Sequence, residues 1–229
     1  LSLQRGQLLA PSPNPSLPDF NREIFLNRLG ISPQKKVVLT LSRLVGWKGV
    51  DRVIRAAPEV IEKTNNVVFV IVGDGPERRN LELLAQQREV DSQVKFVGAT
   101  PHDEVSGFMN SADIFVSLLD LANLPVPILE AMACGRCIVS FDDGALERII
   151  ENGKSGVLIK PELVDVELPK ILLDLLNDDS RRQQLGREAR EFALNNLETW
   201  EERIAKEIRL IEEIALRHKL RRRQDEWNS

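Results

Sequence analysis

What constrains this chain most is a regular alternation of short apolar runs with segments of helical period. The runs lie at residues 37–41, 67–72, 94–97, 114–118, 137–141 and 157–159. Val37-Val-Leu-Thr-Leu41 and Val67-Val-Phe-Val-Ile-Val72 are apolar at nearly every position. A strand with one face in water alternates apolar with polar, so these runs suit strands covered on both faces. The intervening segments have a different period. In 49–63, Val50, Val53, Ile54, Ala57 and Ile61 share one helical face. Further helices are expected at 77–89, 101–110 and 126–134, with a short one at 146–151. Thr100 stands where it would cap the second of these, with Asp103 and Glu104 in its first turn. Strands alternating with helices imply βαβ units, a parallel sheet and right-handed crossovers. The expected fold class is α/β: a Rossmann-like, doubly wound parallel sheet with helices on both faces.

After Glu162 only helical patterns remain, predicting a C-terminal all-helical extension. One helix carries Pro169 in its first turn, where a missing donor is tolerated, and ends at Leu176. A second covers 179–195. A third opens on Thr199 and Glu202, a capping-box pair. Its stripe of Trp200, Ile204, Ile208, Ile211 and Ala215 predicts one buried face, and 217–229 has the composition of a tail. At the other end, Pro11, Pro13, Pro15 and Pro18 predict an extended arm, with a short helix near 21–29 ended by Gly30. The expected organisation is an arm or interdomain linker at 1–35, a Rossmann-like domain at 36–198, and a C-terminal helix with a basic tail at 199–229.

Composition removes several functions. The net charge of -4 argues against nucleic acid. Two cysteines cannot form a disulfide framework, and with two scattered histidines, His102 and His218, they do not make a zinc site. No apolar run reaches membrane-span length. Residues 1–10 lack the basic start and apolar stretch of a signal peptide. They do not begin with Met either, so the expectation is a piece of a longer protein or a chain with a disordered start.

In open parallel sheets ligands bind beyond the carboxyl ends of the strands, where helix N-termini also point. The first such loop, Ser42-Arg-Leu-Val-Gly-Trp-Lys-Gly49, places two cations between a strand and a helix. Arg43 has the fork that grips phosphate oxygens, and Lys48 adds a point charge. Two surface cations on a solvated loop would look the same. The second loop, Gly73-Asp-Gly-Pro76, begins like a dinucleotide fingerprint, but Arg78 stands where the third glycine belongs. A tight strand-to-helix turn accounts for Gly73 and Gly75 equally well. The third loop, 121–125, precedes a helix in which Glu130 lies among Ile128, Leu129, Ala131 and Met132. A carboxylate there is costly unless something hydrogen-bonds to it.

These pieces occur as an ordered series: Ser42-Arg-Leu44, Lys48-Gly49, Val70-Ile-Val-Gly-Asp-Gly-Pro76, Val94-Lys-Phe-Val-Gly98, Ala112-Asp-Ile-Phe-Val-Ser117, Leu129-Glu-Ala-Met-Ala-Cys-Gly135 and Asn152-Gly-Lys-Ser-Gly156. Over roughly residues 37–215 the series resembles the C-terminal, donor-binding domain of retaining GT-B glycosyltransferases, the group 1 family that includes sucrose synthase. The resemblance implies that Arg43 and Lys48 hold the diphosphate of a nucleotide diphosphate-sugar and stabilise the leaving group. It implies that Glu130, the second glutamate of the family's E-x7-E motif, takes the ribose hydroxyls. Asn123, Leu124 and Pro125 would face the donor, with Gly73 and Gly75 lining the nucleotide side. No metal and no cofactor are implied, because positioned cations offset charge on the departing diphosphate. The partners implied are the donor, an N-terminal acceptor-binding domain of the same protein, and no nucleic acid. The implied setting is cytoplasmic, with a basic run 217–223 suited to a membrane face or lipid-linked acceptor.

Two departures stand out. Ala122 occupies the place of the motif's first glutamate, and Asn123 that of the usual glycine. Asn123 or Asp120 would have to serve instead. The N-terminal half of such enzymes is also not seen in this sequence, so the isolated chain is expected to bind donor without effective turnover. A non-catalytic, transferase-like nucleotide-binding domain is the alternative that Ala122 keeps open. A Rossmann-type oxidoreductase is disfavoured by the incomplete glycine fingerprint. Cys134 and Cys137 have the spacing of a redox pair, though buried free cysteines are common. Trp47 suits either stacking on a base or covering its loop. Glu147 reads as an acid at a helix start.

Overall fold

The structure is a computed structural model that describes residues 20–120, 126–142, 144, 146–197 and 200–227. Six strands, β1 (Lys36–Leu41), β2 (Val67–Val72), β3 (Val94–Gly98), β4 (Ile114–Ser117), β5 (Cys137–Phe141) and β6 (Val157–Ile159), form one sheet in the order β3-β2-β1-β4-β5-β6. Every pairing is parallel. The fold is therefore the doubly wound α/β architecture expected from the alternation. β2 shows why it was legible: all six of its residues are buried, which is what a central parallel strand between two helical layers requires.

One layer consists of α2 (Val50–Lys63), α3 (Arg78–Gln87) and α6 (Val164–Asn177), whose Val53, Ile54, Leu81 and Leu172 pack on Val38, Phe69, Ile71 and Val139. The other consists of α1 (Arg22–Arg28), α4 (His102–Ser111), α5 (Val126–Ala133) and part of α7 (Asp179–Asn196). There Leu26, Phe108, Met132 and Ala189 meet Val37, Leu39, Phe115 and Ile138. Asn21 caps α1 through its side chain, accepting from the Ile24 amide at 3.0 Å. The helix is seated by Phe25 against Phe108, edge to face at 5.0 Å. The proline-rich arm at 1–19 lies outside the described residues.

Several local expectations are corrected. Thr100 does not cap α4; its hydroxyl bonds the Glu104 carboxylate at 3.4 Å, and Pro101 takes the cap position without a side-chain bond. The segment after Leu146 is a single 3-10 turn, Leu146–Arg148. Pro169 lies inside α6, beyond its first turn, because the helix begins five residues earlier at Val164. The last helix, α8 (Trp200–Trp227), runs through most of the expected tail. Its apolar stripe is not buried: Ile204, Ile208 and Ile211 are each about half exposed or more, at 49%, 51% and 66%. Amphipathic spacing shows that a face wants cover, not that this chain supplies it. Thr199, of the expected capping pair, lies outside the described residues.

The lower end of the sheet, at the strand N-termini, is held by charge. The Asp113 carboxylate accepts from the Val37 amide at 2.8 Å and from Arg22 at 2.9 Å, with Lys36 at 3.8 Å and Arg182 at 3.9 Å. Arg22 also bonds the carbonyls of Ser111, Pro33 and Lys35. Lys36 reaches Asp179 at 2.9 Å, and Arg182 pairs with the same carboxylate, so α7 is fastened beneath β1 and β4. Arg182 is 6% exposed, and a buried guanidinium needs its partners. Replacing Asp113 with alanine should therefore lower unfolding free energy by about 3 kcal/mol. Thermal unfolding followed by circular dichroism should show a melting temperature lower by roughly 10 °C. A drop of only one or two degrees would mean that Asp113 does not tie these elements together.

Candidate functional site

The strand order reverses direction between β1 and β4, the switch point beyond which open α/β sheets bind ligands. β1 leads into the loop that carries Arg43 and Lys48 and then into α2. β4 leads through Asp120 into 121–125 and then into α5, which carries Glu130. The topology thus puts all three residues on the segments that follow the two strands flanking the switch point. Asn123, Leu124 and Pro125, with Ala122, lie outside the described residues.

Each placed group is in an unusual state. Glu130 is 7% exposed, and its carboxylate forms no hydrogen bond or ion pair among the described residues. Burial pushes its pKa above the ordinary 4.5, while the Coulombic effect of His102 draws it down. Arg43 is exposed, and its guanidinium likewise has no partner among the described residues. Lys48 is half-buried, and desolvation lowers the affinity of its amine for the proton. Its ammonium lies over the Trp47 ring, 4.2 Å from the centroid. Other charges are paired, as at Asp113 and, on the loop after β2, in the Asp74–Arg78–Glu82 chain at 3.1 and 2.8 Å. Unpaired charge at the strand ends is what an anionic, hydroxyl-bearing ligand would complete.

Gly73 and Gly75 sit against protein backbone. A Cβ on Gly73 would lie 1.8 Å from the Ser42 carbonyl oxygen, and one on Gly75 2.3 Å from that of Leu44. Leu44 donates to the Asp74 carbonyl at 2.9 Å, and Glu77 donates to that of Leu44 at 3.1 Å. The turn after β2 therefore buttresses the stretch that presents Arg43. Asp120 is engaged by Arg52 at 2.6 Å, and its amide donates to the Trp47 carbonyl at 2.9 Å.

His102 is the site neighbour that sequence reasoning missed. Its proximity to Glu130 comes from α4 and α5 lying side by side, which no local pattern encodes. The two cysteines belong to different cores, Cys134 on the α5 side and Cys137 on the α2 side of the sheet. Both are free thiols, and burial raises their pKa values to about 11 and about 12. A redox pair is thereby ruled out in this arrangement.

Over residues 21–192 the chain matches the family described as Glycosyl transferases group 1. The chain belongs to this family. It is 33% identical over 184 residues to a GDP-mannose-dependent alpha-(1-6)-phosphatidylinositol monomannoside mannosyltransferase of Mycolicibacterium smegmatis, covering 77% of this chain and 48% of the relative. Among solved structures it resembles S. aureus TarM in complex with UDP, Fondaparinux and alpha-GlcNAc-glycerol, at 25% identity and a TM-score of 0.67, over 77% of this chain and 35% of that one. It shares its fold with the C-terminal domain of the group 1 protein LpcC from Francisella tularensis, at 23% identity and a TM-score of 0.69, covering 83% of this chain and 96% of that one. The chain spans about half the length of the mycobacterial relative. No helix among the described residues is long and apolar enough to cross a membrane.

Proposed function

We propose that this chain is the donor-binding half of a retaining glycosyltransferase that takes a nucleotide diphosphate-sugar. Arg43 and Lys48 receive the diphosphate, Arg43 as a fork and Lys48 as a point charge. As the sugar–phosphate bond breaks, negative charge gathers on the diphosphate, and these two cations stabilise it without a metal ion. The Glu130 carboxylate accepts hydrogen bonds from the ribose hydroxyls. Asp120 is committed to Arg52, which leaves Asn123, with Leu124 and Pro125, to face the donor sugar in place of the glutamate absent at Ala122. Gly73 and Gly75 act on the nucleotide side by fixing the stretch 42–44.

The observation that carries the reading is Glu130, 7% exposed and with no hydrogen bond or ion pair among the described residues, on a helix that follows the switch-point strands, with Arg43 and Lys48 on the neighbouring loop. The names of the relatives agree with it: one is GDP-mannose-dependent, and TarM was solved with UDP. The upstream half would bind the acceptor and cover the exposed Ile204–Ile208–Ile211 face of α8. The basic run that follows would meet anionic lipid if the acceptor is lipid-linked.

Calorimetric titration with uridine, guanosine and adenosine mono- and diphosphates and their sugars tests this. One diphosphate-sugar series should bind, with the monophosphate weaker by about tenfold for the lost phosphate contact. The isolated chain should bind donor yet transfer no sugar. Equal affinity for mono- and diphosphates would overturn the roles given to Arg43 and Lys48. Binding with no transfer, even after the upstream half is restored, would favour a non-catalytic nucleotide-binding domain. Robust transfer by this chain alone would contradict the half-site reading.

A further inference from the structure

Trp47 is an exposed aromatic, 42% accessible, in the middle of the cationic loop. It fills no core, so its ring needs another explanation. The residues Gly46–Lys48 form one 3-10 turn, closed by Lys48 N–H to the Val45 carbonyl at 3.0 Å and Gly49 N–H to that of Gly46 at 3.1 Å. The Trp47 carbonyl accepts from the Asp120 amide at 2.9 Å. The Asp120 carboxylate is gripped by Arg52 at 2.6 Å, and Arg52 also donates to the Leu118 carbonyl at 2.9 Å and lies over Phe141 at 5.1 Å. The backbone of Trp47 is thus tied across the switch point to the ends of β4 and β5. Its ring carries the ammonium of Lys48 at 4.2 Å.

We propose that Trp47 is a positioning residue for Lys48, a seat that holds the ammonium at the strand ends before any ligand arrives. A free lysine side chain spreads over many rotamers and loses that freedom when it grips an anion. An indole face anchored through its own backbone removes part of this loss in advance. It also replaces part of the ammonium's water, in keeping with the half-buried state of Lys48. A cation–π contact at an accessible site is weak enough that a diphosphate can share the ammonium or draw it away. The inference rests on the reading that Lys48 receives a donor diphosphate. It extends that reading by assigning a job to a side chain two readings had competed for, base stacking and loop cover.

A double-mutant cycle on the 229-residue chain separates these roles. UDP and GDP are titrated calorimetrically against the wild type, Trp47→Leu, Lys48→Met and the double variant. Because Trp47 is exposed, the leucine variant should keep the wild-type melting temperature. Trp47→Leu should weaken diphosphate binding about fivefold when Lys48 is present. In the Lys48→Met background the same substitution should change affinity by less than about 1.5-fold. Trp47→Phe should fall between wild type and leucine. Equal losses in both backgrounds would overturn the inference in favour of base stacking or simple loop support.

A ligand-free measurement keeps the inference separate from the nucleotide reading. With isotope-labelled lysine, the ε protons of Lys48 should be displaced upfield by the indole ring current. That displacement should vanish in Trp47→Leu and partly remain in Trp47→Phe. If wild type binds no nucleotide, the donor-site reading fails, and the ring-current result alone decides whether Trp47 seats Lys48. An undisplaced Lys48 resonance in the wild type would overturn the seat whatever the titrations show.

Discussion

Replacing Glu130 with glutamine should make the free protein more stable and its nucleotide binding far weaker. The two effects share one cause. Glu130 is 7% exposed, and its carboxylate has no hydrogen bond or ion pair among the described residues, so the folded chain bears part of the desolvation of an ionised acid, offset in part by the Coulombic pull of His102. Glutamine keeps the shape and removes the charge, which should add about 1 kcal/mol of stability at neutral pH. The same change removes the charged acceptor proposed for the ribose hydroxyls. Charge-assisted hydrogen bonds contribute about 1.5–3 kcal/mol, so affinity should fall roughly 10- to 100-fold. Thermal unfolding and calorimetry on the same preparation measure both. A variant that binds normally would remove Glu130 from the site.

The pH dependence has a definite sign. Burial raises the folded-state pKa of Glu130 above the ordinary 4.5, with His102 acting in the opposite direction. The folded chain then holds this proton more tightly than the unfolded chain does. The associated stability is fully present below the ordinary value and is lost as pH rises through the raised one. The wild type should therefore lose stability relative to Glu130→Gln as pH climbs out of the acid range. A difference between the two proteins that is independent of pH would mean that Glu130 is not the group responsible.

The second large effect is expected at Gly73. Its φ of +132° is one that side chains rarely adopt, and a methyl there would lie 1.8 Å from the Ser42 carbonyl oxygen and 2.9 Å from its carbon. Both obstacles are backbone, so neither can rotate away. The turn is also fixed by the Gly73 amide donating to the Gly98 carbonyl at 2.8 Å. Gly73→Ala should cost about 3 kcal/mol or more from strain and overpacking together. That corresponds to a melting temperature lower by roughly 10 °C. The surviving folded fraction should bind diphosphate poorly, because the displaced partner is the residue preceding Arg43. Gly46→Ala is the matched control: an added Cβ meets nothing within 4 Å, so its stability should change little. Similar melting temperatures for the two variants would refute the close approach of β2 and β1 at this end.

How far the sequence reveals all this depends on the range of the interactions involved. The six strands were visible because a strand covered on both faces has to be apolar along its length, a local signature. Arg43, Lys48 and Glu130 stood out as candidates because their loops follow strands and because Glu130 interrupts an apolar helix. Pro169 was misplaced because the helix start at Val164 depends on packing against the α2 layer, which outweighs the preference of proline for a first turn. Thr100 looked like a cap by position, yet its hydroxyl found Glu104 instead. The engagement of Asp120 by Arg52 and the closeness of His102 to Glu130 join residues that are 68 and 28 positions apart. No spacing rule encodes such meetings, because they arise from which strands become neighbours. The stripe on α8 was identified correctly as apolar and wrongly as buried, since periodicity carries no information about which body provides the cover.

The hub at Asp113 lies at the opposite end of the strands from Arg43, Lys48 and Glu130. One end of the sheet gathers its charges into a single hub, while at the other Arg43 has no ion-pair partner among the described residues and Asp120 is held by Arg52. A substitution in the upper loops therefore leaves the clamp that joins α1, β1, β4 and α7 untouched. Under the proposed donor-site reading, such a scaffold can exchange its ligand preference at little cost to folding, because the residues proposed for recognition and those that secure the chain are different ones.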